Sequence, residues 1–183
     1  GPPILWAERL RRSAPSRVRS MASRPGEELI ELHIRATVGG AVSQYESGLA
    51  SLDRIIRIPT RAADEINAIF EGIKAANGKT PEIAPLKRPM RVEDLMYLNA
   101  FDTLRAFGCS GFTVWGERAG EAGVITTRNF DFRTYGPEAV AEQLIIVRQP
   151  TARRQVATIA WPGYIGAFTG INDAGVVDTG ECA

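Results

Sequence analysis

The sequence is poor in the residues on which much protein chemistry rests. It holds one histidine, His33, and two cysteines, Cys109 and Cys182. A single histidine excludes a histidine-rich metal centre and leaves a cysteine–histidine catalytic pair only one candidate base. Two cysteines exclude a disulfide framework; whether they bridge each other is not decided by spacing. No run of about 18 apolar residues occurs, so nothing reads as a membrane-spanning helix. The opening Gly1-Pro2-Pro3-Ile4-Leu5-Trp6 lacks the apolar core of a secretory signal, and the compartment stays open. A charge excess is lacking too: 22 basic residues meet 21 acidic ones, which excludes a chain-wide polyanion binder. No internal repeat is apparent.

What is present fits one soluble globular domain of ordinary size. The arginines are unevenly placed. Arg9, Arg11, Arg12, Arg17, Arg19 and Arg24 crowd the start, with only Glu8 against them before Glu27. Residues 1–26 show no apolar period and read as a basic flexible arm. Such an arm can bind nucleic acid or anionic lipid. It has no aromatic interleaving and no recognisable binding fold, so a solvated tail is the preferred reading and no nucleic-acid partner is expected.

Glu28 to Ile34 alternates as a strand, closed by Gly39-Gly40. From Ser43 to Ala76 the pattern is helical, with Leu49, Leu52, Ile55 and Ile56 at helical spacing. Pro59 interrupts it, because proline cannot donate a backbone hydrogen bond. Thr60 is expected to cap a second helix whose apolar face is Ile66, Ile69, Phe70 and Ile73, stopped by Asn77-Gly78. Residues 78–89 read as a proline-rich loop. A third helix is expected from Val92 to Phe107, with Val92, Leu95, Met96, Asn99 and Thr103 on one stripe. Strands then follow: Phe112 to Trp115, a polar turn from Glu117 to Gly123, and Val124 to Arg128. Further runs are Leu144 to Arg148, Val156 to Trp161, Ile165 to Thr169 and Gly175 to Asp178. Turn signals at Pro162-Gly163 and Asn172-Asp173-Ala174-Gly175 separate the later ones. The class is α+β, helices first and then a strand meander.

The chemistry concentrates at the switch between the two halves. Cys109 follows Gly108, and one hairpin later come Arg128 and Asp131. If residues 111–116 pair antiparallel with 123–129, the second strand returns beside Cys109. A guanidinium near a sulfur favours the thiolate, which is the attacking species. A carboxylate near an α-amine holds that amine by a charge-assisted hydrogen bond. With almost no histidine, a cysteine nucleophile needs another base, and the amine of an N-terminal residue can serve. Its ordinary pKa of about 7.7–8.0 suits proton transfer near neutrality. Cys109 is internal, so that amine must be made by cutting Gly108–Cys109, and the preceding glycine leaves the carbonyl uncrowded.

The run Gly108-Cys109-Ser110-Gly111-Phe112, then Trp115-Gly116, then Arg128-Asn129-Phe130-Asp131-Phe132, resembles the cysteine N-terminal-nucleophile (Ntn) hydrolases. These include penicillin acyltransferases, bile-salt (choloylglycine) hydrolases, penicillin V acylases and acid ceramidase-like amidases. It is most similar to the acyl-coenzyme A:6-aminopenicillanic acid acyltransferase branch, whose members carry a helical pro-segment. Val92 to Ala100 is similar to the helix before the nucleophile there, and Ile165 to Gly175 to a later strand-turn-strand segment. The similarity spans about residues 90–179, and 27–89 loosely.

The resemblance implies an Ntn αββα sandwich with a helical N-terminal pro-segment. The chain would divide into the arm at 1–26, the pro-segment at 27–108 and the start of the catalytic segment at 109–183. It implies Cys109 as nucleophile, Arg128 near its sulfur, Asp131 on its amine, and autocleavage at Gly108–Cys109. The family places an oxyanion-stabilising asparagine just after the Asn-x-x-Gly turn, where this chain has Val177-Asp178-Thr179-Gly180-Glu181. Asn129, Asn172 and Thr179 are the supporting candidates. Another catalytic asparagine lies further downstream in the family. The chain is therefore expected to be part of the fold, partnered by the remaining catalytic segment, and a homo-oligomer stays open. The substrate would be a small N-acyl amide, with an acyl-coenzyme A or amine acceptor in transfer. No cofactor or metal is implied.

Other readings stand beside this one. A lone cysteine is usually a small hydrophobe, and Arg128 with Asp131 can be a plain surface ion pair. His33 reads as a strand residue, and Cys182 as incidental. Tyr135, Trp161 and Tyr164 suit an acyl pocket or core packing equally. A catalytically silent module on the same scaffold is the main alternative function.

Overall fold

The computed structural model describes residues 41–100, 108–131, 143–149 and 153–178, with only the backbone described at Gly108, Cys109, Phe130 and Asp131. The basic arm, the Glu28–Ile34 strand with His33, the end of the third expected helix, Tyr135, Thr179 and Cys182 lie outside the described residues. Within them the class is mixed helix and antiparallel sheet, helices first.

Helix α1 (Val42–Ala50) breaks at Ser51 before the single turn α2 (Leu52–Ile55). The Ser51 hydroxyl donates to the Ser47 carbonyl at 2.9 Å, a back-bond that competes with the regular ladder and bends helices. Helix α3 (Thr60–Asn77) begins after Pro59, whose φ of −59° and ψ of 143° make it the flanking residue. Thr60 is thus the first helical residue and not the cap; no side chain caps this end. Gly78, at φ 67°, ends the helix in the left-handed region that glycine enters without penalty. Ile66 and Ile73 are buried, and Ile69 and Phe70 pack beside them.

The stretch expected as a loop contains a small hairpin, β1 (Glu82–Ile83) with β2 (Arg88–Pro89), joined by a 3₁₀ turn at Ala84–Leu86. Strands of two residues are too short to display alternation, which is why the sequence pattern misses them. Helix α4 (Val92–Ala100) follows. One apolar core gathers Tyr45, Ile66, Ile73, Ile83, Met90, Leu95 and Leu98, and Trp161 and Ile165 from the strand half pack against it. Helices and strands therefore share a core across the expected boundary at residue 108.

A carboxylate sits inside that core. Asp94 has none of its surface exposed. Arg88 grips both its oxygens at 2.8 Å, the Tyr45 hydroxyl donates to Oδ1 at 3.0 Å, and the Arg91 N–H donates to Oδ2 at 2.7 Å. The last bond is the reciprocal half of a capping box at the start of α4. Glu46 closes the group on Arg88 Nε at 2.8 Å. A carboxylate can stay charged in such a place only with a cation and several donors around it. The cluster joins α1, β2 and α4.

Strands β3 (Gly108–Trp115) and β4 (Val124–Asp131) form an antiparallel hairpin. Strands β5 (Leu144–Arg148), β6 (Val156–Ala160), β7 (Thr169–Asn172) and β8 (Val177–Asp178) form an antiparallel meander. The run expected as a strand from Ile165 to Thr169 is mostly loop, and β7 starts only at Thr169. Asn99 on α4 holds the start of this run. Its side-chain amide donates to the Gly163 carbonyl at 2.8 Å and accepts from the Ile165 N–H at 2.7 Å. Backbone groups bonded to a side chain are not available to a strand partner.

The meander has two unlike faces. Arg148 leaves one to reach Glu65 of α3 at 3.0 Å, the Thr158 hydroxyl at 3.1 Å and the Ile165 carbonyl at 3.0 Å. The other carries Ile145, Val147, Ile159, Ile171 and Val177 in cross-strand register, and all but Ile171 are exposed by two fifths or more.

Two predictions follow from the Asp94 cluster. Asp94→Ala takes one of two carboxylates from half-buried Arg88 and removes the acceptor of the Tyr45 hydroxyl bond, and is expected to cost about 1–3 kcal/mol in urea unfolding. Burial, and then the neighbouring Asp94 carboxylate, push the Tyr45 phenol well above its ordinary range. A group raised in the folded state stabilises fully below its unfolded pKa of about 10 and progressively less above it. Tyr45→Phe is therefore expected to flatten the fall of melting temperature between about pH 9 and 11.

Candidate functional site

The β3–β4 hairpin is built from residues that suit a pleated ribbon: Phe112, Thr113, Val114 and Trp115 against Val124, Ile125, Thr126 and Thr127. Thr113 and Thr126 are register partners, and their hydroxyls lie 3.1 Å apart, a pairing that supports antiparallel strands. Between the strands the expected polar turn is a 3₁₀ segment, Gly116–Ala122, kinked at Gly120. The φ of 54° and ψ of −137° there admit little but glycine.

Pairing extends beyond the expected 111–116 and 123–129, as far as Gly108 and Asp131. Gly108 pairs with Asp131, Cys109 with Phe130, Ser110 with Asn129 and Gly111 with Arg128. The Gly108–Cys109 peptide thus lies across the ladder from Phe130–Asp131. Arg128 is two residues from the partner of Cys109, at a position of the same strand parity. All of Gly108, Cys109, Arg128, Asn129 and Asp131 therefore meet at the open end of one hairpin, at the level of the backbone.

Gly111 presents no side chain opposite Arg128. The half-buried guanidinium extends to the end of β7, where Nη1 donates to the Phe168 carbonyl and reaches the Thr169 hydroxyl at 3.5 Å. Phe168 belongs to a ring cluster, stacked on Tyr164 with centroids 4.8 Å apart and edge-on to Trp161 at 5.0 Å. A Cβ on Gly166 would come within 2.5 Å of the Tyr164 ring, so this position requires glycine. Tyr164 is buried in the stack and Trp161 packs on the helical core; packing is the role their contacts give them.

Asn172 lies apart from the hairpin end in the sequence of contacts. Its Oδ1 accepts from the Ala174 and Val176 N–H groups at 2.9 and 3.0 Å. This is an asparagine holding its own turn, and its carbonyl oxygen is occupied there. Asn129 is exposed opposite Ser110. Two further residues escaped the sequence reading, Asn99 and Arg148. Asn99 left a trace, as an amide on an otherwise apolar helical stripe. Arg148 left none, because its partners are far away in sequence.

Among the described residues no group of three or more His, Cys, Asp or Glu side chains is placed to hold a metal, and no helix is long and apolar enough to cross a membrane. The chain matches no family model, no curated protein and no solved structure.

Asn172→Ala is expected to destabilise the protein by about 1–2 kcal/mol through the two lost turn bonds. Asn172→Asp, which keeps the acceptor, is expected to stay within about 0.5 kcal/mol of the parent on chemical denaturation.

Proposed function

We propose that this chain belongs to an autoprocessed cysteine amidohydrolase or acyltransferase of the Ntn type, in which Cys109 is both nucleophile and new N-terminus. The observation that carries the reading is the β3–β4 register. It sets the Gly108–Cys109 junction, Arg128 and Asp131 at one end of one hairpin.

In the proposed maturation, the Cys109 sulfur attacks the Gly108 carbonyl carbon. The carbon–nitrogen bond breaks, the nitrogen takes up the thiol proton and becomes an amine, and Gly108 is left as a thioester on the sulfur. Water then hydrolyses the thioester, releasing the Gly108 carboxylate and the free thiol. Cys109 now bears an α-amine. That amine accepts the thiol proton, and the thiolate attacks the carbonyl of a linear N-acyl amide. The amine product leaves with the proton, and water or a second amine resolves the acyl thioester. Hydrolysis and transfer differ only in which of these arrives. Arg128 would favour the thiolate, and Asp131 would hold the ammonium form of the amine. Backbone N–H groups would stabilise the oxyanion, joined by an asparagine of the remaining catalytic segment.

Two further features support the Ntn αββα architecture as the finer form of the α+β class. On one face of the β5–β8 sheet Arg148 joins Glu65 of helix α3. The opposite face is apolar and exposed, as expected of a surface that a second sheet would cover. A silent relative is the competing reading, favoured by the lack of asparagine from Val177 to Glu181 and by the turn-bound Asn172.

Intact-mass measurement with N-terminal sequencing separates the two. Wild type is expected to yield a fragment beginning at Cys109, and Cys109→Ala a single uncut chain. Identical cutting of both, or cutting of neither, refutes autoprocessing.

A further inference from the structure

We infer that Asn99 is a positioning residue for Arg128, linking α4 to the guanidinium on the strand that pairs with the junction. The inference rests on the proposed function and adds a residue that the chemistry itself does not name.

The link is a short chain of bonds. Asn99 lies in α4, and its Nδ2 is anchored to the Leu95 carbonyl of its own helix at 2.8 Å. From there the same amide takes hold of a distant loop on both sides of Tyr164, through the Gly163 carbonyl at 2.8 Å and the Ile165 N–H at 2.7 Å. The amide thus uses its two donors and its acceptor on three backbone groups. That loop is stiff beyond the contact. Tyr164 stacks on Phe168, Gly166 admits no side chain beneath the ring, and Trp161 packs edge-on against Phe168. Phe168 then offers its carbonyl to Arg128.

Asn99 of α4 therefore sets where the Phe168 carbonyl stands, and that carbonyl holds the guanidinium. Only an amide can do this. A carboxylate at position 99 loses the donors to Leu95 and Gly163 and keeps the acceptor for Ile165, and an apolar side chain loses all three bonds. Asp94 lies on the same helix five residues earlier and fixes α4 to the helical core. The helical segment thereby acts on the site beyond merely covering it: it sets the arginine before the junction is cut.

The test measures the rate at which the fragment beginning at Cys109 appears in the full chain, with melting temperature followed in parallel. The variants are Asn99→Ala, Arg128→Gln and the double variant. Asn99→Ala is expected to slow cutting roughly two- to thirtyfold, the range for residues that act through others. The double variant is expected to be no slower than Arg128→Gln alone, because both changes disable one device. Ile73→Ala, a core change that touches none of the three Asn99 bonds, is expected to lower the melting temperature while cutting continues at the parent rate. If Asn99→Ala fails to fold, Asn99→Asp takes its place, with a smaller slowing expected and the same non-additivity. Slowing that multiplies in the double variant, or an Asn99 variant that loses stability and cuts at the parent rate, overturns the inference alone. Uncut wild type, or Arg128→Gln cut like wild type, overturns the proposed function and this inference with it.

Discussion

The described fold depends on keeping one buried charge satisfied. Asp94 lies wholly within the apolar core, and its carboxylate is tolerable there only because Arg88, Tyr45 and the Arg91 N–H converge on it. Each partner comes from a different element. Holding the charge therefore fixes α1, the β1–β2 hairpin and the start of α4 relative to one another. A buried ion pair is weak evidence of net stability, and what the Asp94 bonds show is the fixed geometry they require of these elements.

From that fixed point the constraint passes along α4 into the strand half. Asn99 shapes the 161–168 loop, and the aromatic stack in the loop carries its shape to Phe168. Arg148 makes a second crossing, from β5 to Glu65 of α3 and to the Ile165 carbonyl of the same loop. Two polar side chains, each using several bonds, thus join helices to sheet where apolar contact is thin. The β3–β4 hairpin is attached differently. A two-stranded ribbon is marginal by itself, and the Arg128 contact with Phe168 and Thr169 ties it to the end of β7.

The exposed apolar residues gain meaning from this arrangement. Phe112, Trp115, Val124 and Ile125 lie open on the hairpin, and Ile145, Val147 and Ile159 lie open on one face of the meander. The opposite face of the meander is the one that Arg148 joins to the helices. The exposed side is the one through which an αββα sandwich would be completed, and the proposed function draws on that contrast.

Local pattern alone was enough for the long α3 helix, the Pro59 break, the Gly78 stop, the hairpin around 108–131, strand β5 and the Asn172 turn. Each depends on side-chain periodicity or on the backbone limits of proline, glycine and asparagine, which act within a few residues. The grouping of Gly108, Cys109, Arg128 and Asp131 was likewise legible, because a hairpin joins residues close in sequence. Tertiary structure decided what local pattern cannot carry. It turned the expected 165–169 strand into a loop, where Asn99 holds the Ile165 N–H and Arg128 the Phe168 carbonyl. It made Asp94 the centre of the core, and it directed Arg128 toward Phe168. Tyr45 and Asp94, Asn99 and Ile165, and Arg128 and Phe168 each lie 40 or more residues apart, and a hydrogen bond across that separation exists only after the chain has folded to bring its two ends together.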